Sequence, residues 1–326
     1  MRRKNLMNTL RRFLIALAAL AAGLPALAAD YPNRPIHVVV PWPPGGPTDA
    51  VARVISQEIS EQLRQPVVID NKAGATGVLG SDYVAKATPD GYTIVVAGTA
   101  SHSLAKIASA KLPYDPLKDF RPIAEYGRYP VGIFVGTTLP ITNLAEFIAQ
   151  SKSVKDGLSI GLPGVGSVSH LYAQLLASKT GAKLTYVPYR GDAPARLDLL
   201  SGNIHGIAST PDFGLIADGK ARLIGSTGTA RWPQTPDVPT FAEAGFPDLV
   251  GFIVWGFAVP AGTPDDIVKI LNDATNRALQ SERVKRIMVD NAYFVSGGTP
   301  EALWSVFAQQ ISEFGEVIRS GAVKFE

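Results

Sequence analysis

Apolar residues recur along this chain in two patterns that together predict an α/β fold. Short β-branched runs, first seen at residues 36–40, predict buried strands. Stretches with apolar residues on one helical face, first seen at residues 49–63, predict the helices between them. Further strands are predicted at residues 67–70, 92–97, 131–136, 158–162, 184–187, 204–208, 223–226 and 252–259. This alternation predicts open, mainly parallel sheets with helices on both faces.

The order of these elements favours two lobes. Two long C-terminal helices are predicted after Thr263-Pro264 and Thr299-Pro300, with Thr at the N-cap and Pro at the first helical position. These helices need a sheet to pack on, so the chain is expected to return to the lobe in which it began. Lobe 1 is therefore assigned to residues 30–128 plus 252–326, and lobe 2 to residues 129–251. Other helices are predicted at residues 79–87, 143–151, 168–178 and 194–200.

The N-terminus has the pattern of a secretory signal peptide, assigned to residues 1–28. Five basic residues precede an apolar run at residues 13–24, and Ala26-Leu27-Ala28 has the small-x-small pattern of a signal-peptidase site. The run is too short to span a membrane stably, so export and cleavage near Ala28 are expected. Arg11-Arg12 hints at twin-arginine export, but the rest of that motif is missing and the general secretory route is favoured.

Removing this leader changes what the charge implies. The whole chain has a formal net charge of +3, and loss of the five basic residues leaves −2. Since the remainder has no run of Lys or Arg, neither nucleic acid nor an anionic membrane is expected as a partner. The chain has no cysteine, which excludes disulfides, thiolate nucleophiles and Cys-based metal sites. Four histidines without a His-x-x-Glu-His pattern argue against a metal site, and no cofactor is predicted.

The turn after the first strand, Pro43-Pro44-Gly45-Gly46-Pro47-Thr48, is the strongest local signal of function. Its glycines let a ligand approach the backbone, and Thr48 or Asp49 can cap the helix that follows. The first N–H groups of a helix have no partner within it and lie at the positive end of its dipole, so the turn suits an anion. It lacks the Gly-Lys-Ser/Thr of a phosphate-binding P-loop. From these residues alone, an ordinary strand-to-helix connection is equally open.

A second turn, Gly164-Val165-Gly166-Ser167, has the same build in the middle of the chain. Two such turns, one in each lobe, are expected to face each other across a cleft. Lone polar residues say less, because His102 and His170 are of types that more often cap or pack than bind a ligand. Arg190 can bind a carboxylate through its planar fork or pair with nearby Asp192.

A serine hydrolase is the enzymatic alternative. Gly157-Leu158-Ser159-Ile160-Gly161 matches the nucleophile-elbow pattern, but Ser159 falls at the start of a predicted strand rather than on a strand-to-helix turn. Ser167 with His170 is a second pair to consider. Neither serine has an evident base and orienting carboxylate, which favours a binding protein over an enzyme.

Seven short motifs, spread over almost the whole chain after the leader, form a specific combination. They are Tyr31-Pro32-Asn33-Arg34-Pro35-Ile36, Val40-Pro41-Trp42-Pro43-Pro44-Gly45-Gly46-Pro47-Thr48-Asp49, Pro89-Asp90-Gly91-Tyr92-Thr93, Leu112-Pro113-Tyr114-Asp115-Pro116, Val187-Pro188-Tyr189-Arg190-Gly191, Asp237-Val238-Pro239-Thr240 and Pro260-Ala261-Gly262-Thr263-Pro264. With this combination the chain resembles the substrate-binding components of tripartite tricarboxylate transporters, called Bug proteins.

The resemblance implies a type II periplasmic binding fold, in which two lobes close on a ligand in the cleft between them. A ligand carboxylate would be held largely by backbone N–H groups and ordered water at residues 43–49 and 164–167, with hydroxyls after the third strand. Family ligands are di- and tricarboxylates, acidic amino acids and aromatic acids. The expected ligand-binding residues are Trp42, Pro44, Gly45, Gly46, Thr48, Asp49, Thr99, Ser101, His102, Gly164, Val165, Gly166, Ser167, His170, Tyr189 and Arg190.

The resemblance also implies partners and a location. The protein is expected to be a periplasmic monomer that delivers its ligand to a large and a small membrane subunit of a carrier. A receptor that presents the same ligand to a sensor kinase has the same features, so signalling stays open as an alternative output.

Four positions depart from the pattern of this family. Trp42 stands where Phe is commoner, Ala105 and Lys106 replace Asn-Pro, and an acidic residue that the family often has near Ser209 is missing there. These departures bear on which acid is bound rather than on the fold. Specificity for the far end of the ligand is expected from Trp42, His102, Lys106 and Arg190.

Overall fold

The computed structural model describes residues 31–109 and 111–321, so the expected leader at residues 1–28 lies outside the described residues. From Pro35 onward the chain forms a single compact unit. Its strands are β1 Ile36–Val40, β2 Val67–Asn71, β3 Thr93–Gly98, β4 Phe120–Tyr129, β5 Gly132–Gly136, β6 Leu158–Leu162, β7 Leu184–Pro188, β8 Gly206–Ser209, β9 Ala221–Ser226, β10 Ile253–Pro260 and β11 Phe294–Val295.

The strands form two sheets, as the alternation predicts. The first has six strands in the order β11-β4-β10-β3-β1-β2, and the second has five in the order β7-β6-β8-β5-β9. All strands of the second sheet come from residues 132–226, between β4 and β10 of the first. The predicted α/β fold with helices against two sheets is therefore confirmed.

Strand direction is less uniform than the sequence predicts. In the first sheet β1, β2 and β3 pair in parallel, whereas β10 pairs antiparallel with both β3 and β4. In the second, β6 pairs in parallel with β7 and β8, whereas β5 pairs antiparallel with β8 and β9. Most strands of each sheet thus share one direction. Of the exceptions, β5 and β10 follow connections that pass from one sheet to the other, whereas β11 pairs antiparallel with the end of β4.

A π-helix at Thr99–Leu104 follows β3, and the α-helices of the described ranges that have five or more residues cover the sheets. They are α1 Pro47–Leu63, α2 Val78–Ala85, α3 Leu144–Ser153, α4 Val168–Thr180, α5 Asp192–Leu200, α6 Phe213–Ala217, α7 Asp265–Ala278, α8 Glu282–Asp290 and α9 Pro300–Arg319. The C-terminal helix α9 packs Leu303 and Phe307 onto Val95 and Val254 of the first sheet, in one apolar core. A second core joins Phe134, Ile207 and Leu223 of the second sheet to Leu199 of α5.

The two C-terminal helices start differently. Thr299 is the N-cap of α9 and Pro300 its first residue, as predicted. At α7 the N-cap is Pro264, because the Thr263 hydroxyl donates instead to the Pro260 carbonyl at 2.8 Å. The prediction that Thr263 caps this helix is therefore wrong. The chain after Pro264 nevertheless enters the helix with Asp265 and Asp266 in its first turn, where their charges complement the helix dipole.

Candidate functional site

The parallel strands of each sheet collect the predicted ligand turns at one edge. Strands β1, β2 and β3 run in parallel, so the segments that follow them lie side by side, and the same holds for β6, β7 and β8. In open α/β sheets this carboxyl edge is where ligands bind. The first turn (residues 43–49) and the second turn (residues 164–167) both lie at such an edge.

Two crossover segments, residues 130–131 and residues 227–252, join the two sheets at these edges. Strand β4 ends at Tyr129 and β5 begins at Gly132, and three Cα–Cα steps span at most about 11 Å. Tyr129 pairs with Ile253 at the start of β10, while Gly132 pairs with Ser209 and Ser226 at the ends of β8 and β9. Both crossovers therefore leave one sheet and enter the other at the edges that carry the turns.

The first turn is held by the carboxylate of Asp49. Its Oδ2 accepts the Gly45 N–H at 3.0 Å and Arg53 Nε at 2.8 Å, and its Oδ1 accepts Asn71 Nδ2 at 2.9 Å. Asn71 also donates to the Trp42 carbonyl, which links the turn to β2. Burial acts to raise the pKa of Asp49, but the hydrogen bonds from Arg53, Gly45 and Asn71 outweigh it, so the pKa lies below its usual value.

Asp49 therefore braces the turn from the inside, with only 3 % of its surface exposed. Thr48 is also buried, whereas Pro44 and Gly45 are exposed and Gly46 is half-buried. Gly45 has φ +86°, which favours glycine, and a Cβ built there meets no atom within 4 Å. The accessible part of the turn is thus Pro44, Gly45 and part of Gly46, while the Asp49 carboxylate is buried behind them.

Trp42 forms an aromatic wall with a residue that the sequence analysis missed. Its ring meets Trp255 of β10 edge to face, with centroids 4.5 Å apart. A Cβ on Gly77 would lie 3.0 Å from the Trp42 ring and 3.2 Å from Ser101 Cβ, so the segments after β1, β2 and β3 converge here. Trp255 lies on a strand far along the chain, so periodicity alone could not place it beside Trp42.

The hydroxyls after β3 point inward instead of toward a cleft. Thr99 and Ser101 have no exposed surface. Thr99 Oγ1 accepts the Val254 N–H at 2.8 Å, which ties β3 to β10, and Ser101 Oγ lies 2.9 Å from His102 Nδ1. In this structure these side chains support the site from behind, and the implied direct contact with a ligand is corrected to a supporting role.

His102 is likewise a packing residue. Its ring is fully buried, 4.9 Å from the Phe120 ring and 5.5 Å from the Phe307 ring, centroid to centroid. Burial lowers the pKa of His102 to about 3, so the imidazole is neutral. Its predicted place among the residues that meet the far end of the ligand is corrected, because the turn after β3 directs the side chain toward α9.

The second turn is braced by an imidazole. Ser167 is the N-cap of α4, and its Oγ accepts the His170 N–H at 3.1 Å. The Gly166 N–H donates in turn to His170 Nδ1 at 3.3 Å. Burial lowers the pKa of His170, which favours the neutral ring that this bond needs. Val165 at the tip is 51 % exposed, and a Cβ on Gly164 or Gly166 meets no atom within 4 Å, so open space lies in front of this backbone.

The segment after β7 lies beside the second turn. Tyr189 N donates to the Leu162 carbonyl at 2.9 Å, and Gly191 N donates to the Pro163 carbonyl at 3.2 Å. The Tyr189 hydroxyl donates to Asp198 on α5 at 2.6 Å, so the phenol points along that helix. Arg190 is exposed next to the turn, whereas Lys106 is paired with Asp115 at 2.9 Å.

Four polar residues where the crossover meets the second sheet were not predicted. The Ser209 hydroxyl donates to Asp192 at the start of α5. Burial raises the pKa of Tyr129 to about 12; contacts with Thr210 and Trp255 lower it, and the charge of Asp192 raises it. Tyr129, Asp192, Ser209 and Thr210 thus cluster at the edge, although they come from three separate parts of the chain, the ends of β4 and β8 and the start of α5. In the sequence, only the departure near Ser209 and the possible pairing of Asp192 with Arg190 pointed to them.

The structure places a histidine beside Ser159, which bears on the hydrolase alternative. Ser159 Oγ lies 2.7 Å from His205 Nδ1, but the same nitrogen accepts the backbone N–H of Ser159 at 3.0 Å. The pair lies at the start of β6, at the edge opposite the turns. Ser167 Oγ accepts a backbone N–H of the helix that it caps. Both serines thus serve local structure, and neither is placed as an activated nucleophile.

Metal and membrane sites were sought in the described part of the chain. Residues 31–109 and 111–321 contain no group of three or more His, Cys, Asp or Glu side chains placed to hold a metal ion. None of the helices in these ranges combines the length and apolarity needed to cross a bilayer.

Comparison with known sequences identifies one family across most of the chain. Residues 51–322 match the tripartite tricarboxylate transporter family receptor. A relative, protein BugT of Bordetella pertussis, is 34 % identical over 317 residues, which cover 96 % of this chain and 96 % of that protein.

Solved structures agree in fold at similar identity. The MatC protein of Rhodopseudomonas palustris with bound malate superposes with a TM-score of 0.79 at 35 % identity, covering 88 % of this chain and 100 % of that one. Another protein of R. palustris, solved with adipate, gives a TM-score of 0.81 at 32 % identity, covering 89 % of this chain and 98 % of that one.

Proposed function

Because the chain belongs to the tripartite tricarboxylate transporter family of receptors, the Bug proteins, we propose that it captures a small organic carboxylate for such a carrier. Members of this family are periplasmic solute-binding proteins. The ligand would be a di- or tricarboxylate or an aromatic acid, bound after the leader at residues 1–28 has been removed in the periplasm. A large and a small membrane subunit would receive it.

The observation that supports this proposal is the pair of turns at the two sheet edges that the crossovers join. Each precedes a helix of more than ten residues, α1 or α4, whose first N–H groups and dipole favour an anion. Each also has open space in front of its glycine backbone. Hydrogen bonds to a charged group contribute about 1.5–3 kcal/mol each, so three or four of them suffice for micromolar binding, which needs about 8 kcal/mol.

The crossovers are the natural hinge for closing such a site. Thr227 ties the two of them together, because Val131 N donates to its Oγ1 at 2.9 Å and this hydroxyl donates to the Gly251 carbonyl at 2.6 Å. We assign lobe 1 to residues 30–128 plus 252–326 and lobe 2 to residues 129–251. Rotation about these two segments would bring the first and second turns onto opposite sides of one carboxylate.

A ligand series tests the proposal. The exported protein is titrated by calorimetry, and screened by thermal shift, against mono-, di- and tricarboxylates of matched carbon skeleton, with sugars and polyamines as controls. Binding confined to carboxylates is expected. Binding confined to sugars or polyamines contradicts the proposal, and turnover of generic esters that is lost in Ser167→Ala would support the hydrolase instead.

A further inference from the structure

Asp192 lies close to the second turn, and the proposed function gives it no role. It is the first residue of α5, and the preceding Gly191 donates its N–H to Pro163 beside the second turn. Its carboxyl group accepts the Ser209 hydroxyl at the end of β8. The residue keeps part of its surface exposed. A carboxyl group therefore lies at the edge where a ligand carboxylate is expected.

The negative charge of Asp192 is compensated only in part by its neighbours. Arg196, one turn further along α5, is the nearby cation, and its Nη1 is already paired with Asp212 at 3.1 Å. Asp192 and Asp212 thus both draw on the charge of Arg196, while Arg190, two residues before Asp192, is exposed. Burial raises the pKa of Asp192, and the Ser209 hydrogen bond and the charge of Arg196 only partly oppose this. The surroundings of Asp192 therefore compensate its negative charge only in part.

From this geometry we infer that Asp192 selects, among small carboxylates, those that present a hydroxyl or ammonium group to it. The inference rests on the proposed function, because it concerns the same cleft. Hydroxy acids and amino acids would bind better than plain acids of equal length. A second carboxylate brought near Asp192 would be repelled, whereas an ammonium would supply the missing charge and hold Asp192 ionised.

The decisive experiment compares ligands that differ only in the donor. One set is succinate, malate and aspartate, and the other is phenylacetate, mandelate and phenylglycine. Each is titrated by calorimetry into the wild type and into Asp192→Asn, which keeps an oxygen for Ser209 but has no charge. Asp218→Asn is the matched control, since Asp218 is exposed on the same lobe and pairs only with exposed Lys220.

In the wild type, the member of a set with ammonium or hydroxyl is expected to bind at least about tenfold more tightly than the plain acid, the effect of one charge-assisted hydrogen bond. Asp192→Asn is expected to remove most of this preference and to tighten binding of the plain acid, while Asp218→Asn leaves both unchanged. If Asp192→Asn does not fold, Asp192→Ser serves instead.

An unchanged ranking in Asp192→Asn, with carboxylates still bound, overturns the inference and leaves the proposed function standing. Plain acids that outrank their amino and hydroxy analogues in the wild type overturn it as well. Failure of the wild type to bind any carboxylate overturns the proposed function, and this inference with it.

Discussion

The first and second turns are both held by a hydrogen bond to a side chain of the following helix, but the accepting groups differ in charge. In both, a side chain from the following helix reaches back and accepts a turn N–H, which fixes the backbone before a ligand arrives. At the first turn that acceptor is the charged Asp49, tied further to Arg53 and Asn71. At the second it is the neutral ring of His170. The difference teaches that a turn proposed to bind an anion can itself be held by a carboxylate, because Arg53 and Asn71 compensate its charge behind the turn.

Blocking the first turn is expected to have the largest effect. Gly46 has an ordinary extended backbone, φ −81° and ψ 168°, and the nearest atom to a built Cβ is 4.0 Å away, so a side chain can be attached there without backbone strain. Gly46→Val should cost about 100-fold or more in ligand affinity, equivalent to two lost charge-assisted hydrogen bonds. Calorimetry measures the affinity, and an unchanged thermal midpoint shows that the fold is intact.

Gly46→Ala is the graded control for this substitution, with a smaller loss expected. The second turn does not allow the same clean test, because Gly166 has φ +68° and a side chain there is strained. Wild-type affinity in Gly46→Val would remove the first turn from the binding site.

Lowering the pH is expected to reduce the free energy of unfolding. Protonation of His102, behind the first turn, should contribute more to this loss than protonation of His170 at the second turn. His102 has a folded pKa of about 3 against an ordinary value of 6.5. A lowered folded pKa means that its stabilising contribution is complete above 6.5 and falls as the pH drops from there toward 3. The free energy of unfolding should therefore fall by about 1.4 kcal/mol per pH unit in this window from His102 alone.

Urea unfolding of the wild type and of His102→Phe between pH 4 and pH 7 measures this contribution. Phenylalanine keeps the aromatic packing and cannot be protonated, so its curve should be flatter. His170 has a lowered pKa as well, and should add a smaller loss of the same sign. Parallel curves for the wild type and His102→Phe would show that His102 does not stay neutral on folding.

Replacing Asp49 or His170, whose side chains hold the two turns, compares the turns most directly. These substitutions are expected to have the smallest effects on ligand affinity. Asp49→Ala should weaken ligand binding about tenfold, because hydrogen bonds to a charged acceptor are lost. His170→Ala should weaken it about threefold, since the bond from Gly166 is neutral and, at 3.3 Å, long. Asp218→Ala is the control for loss of a carboxylate, and a larger effect at His170 than at Asp49 would reverse the comparison.

Much of the fold and the two turns of the proposed site follow from the sequence. The apolar patterns predict nine of the eleven described strands, and β4 and β11 were not foreseen. Strand β4 carries polar residues such as Glu125 and Arg128 between its apolar ones, which hides its burial. The glycine-rich turns were predicted because their chemistry is local. A few adjacent residues determine a turn that has an accessible backbone and precedes a helix.

What the amino-acid sequence determined by itself is therefore the local part: the alternation of elements, the two anion-friendly turns and the family. The tertiary structure decided which side chains are buried behind the turns and which are accessible. It turned Thr99, Ser101 and His102 inward, put Asp49 behind its turn, and set the cluster of Tyr129 and Asp192 at the crossover. The physical reason is that these placements depend on contacts between residues far apart in the chain, such as Thr99 with Val254, which no local pattern encodes.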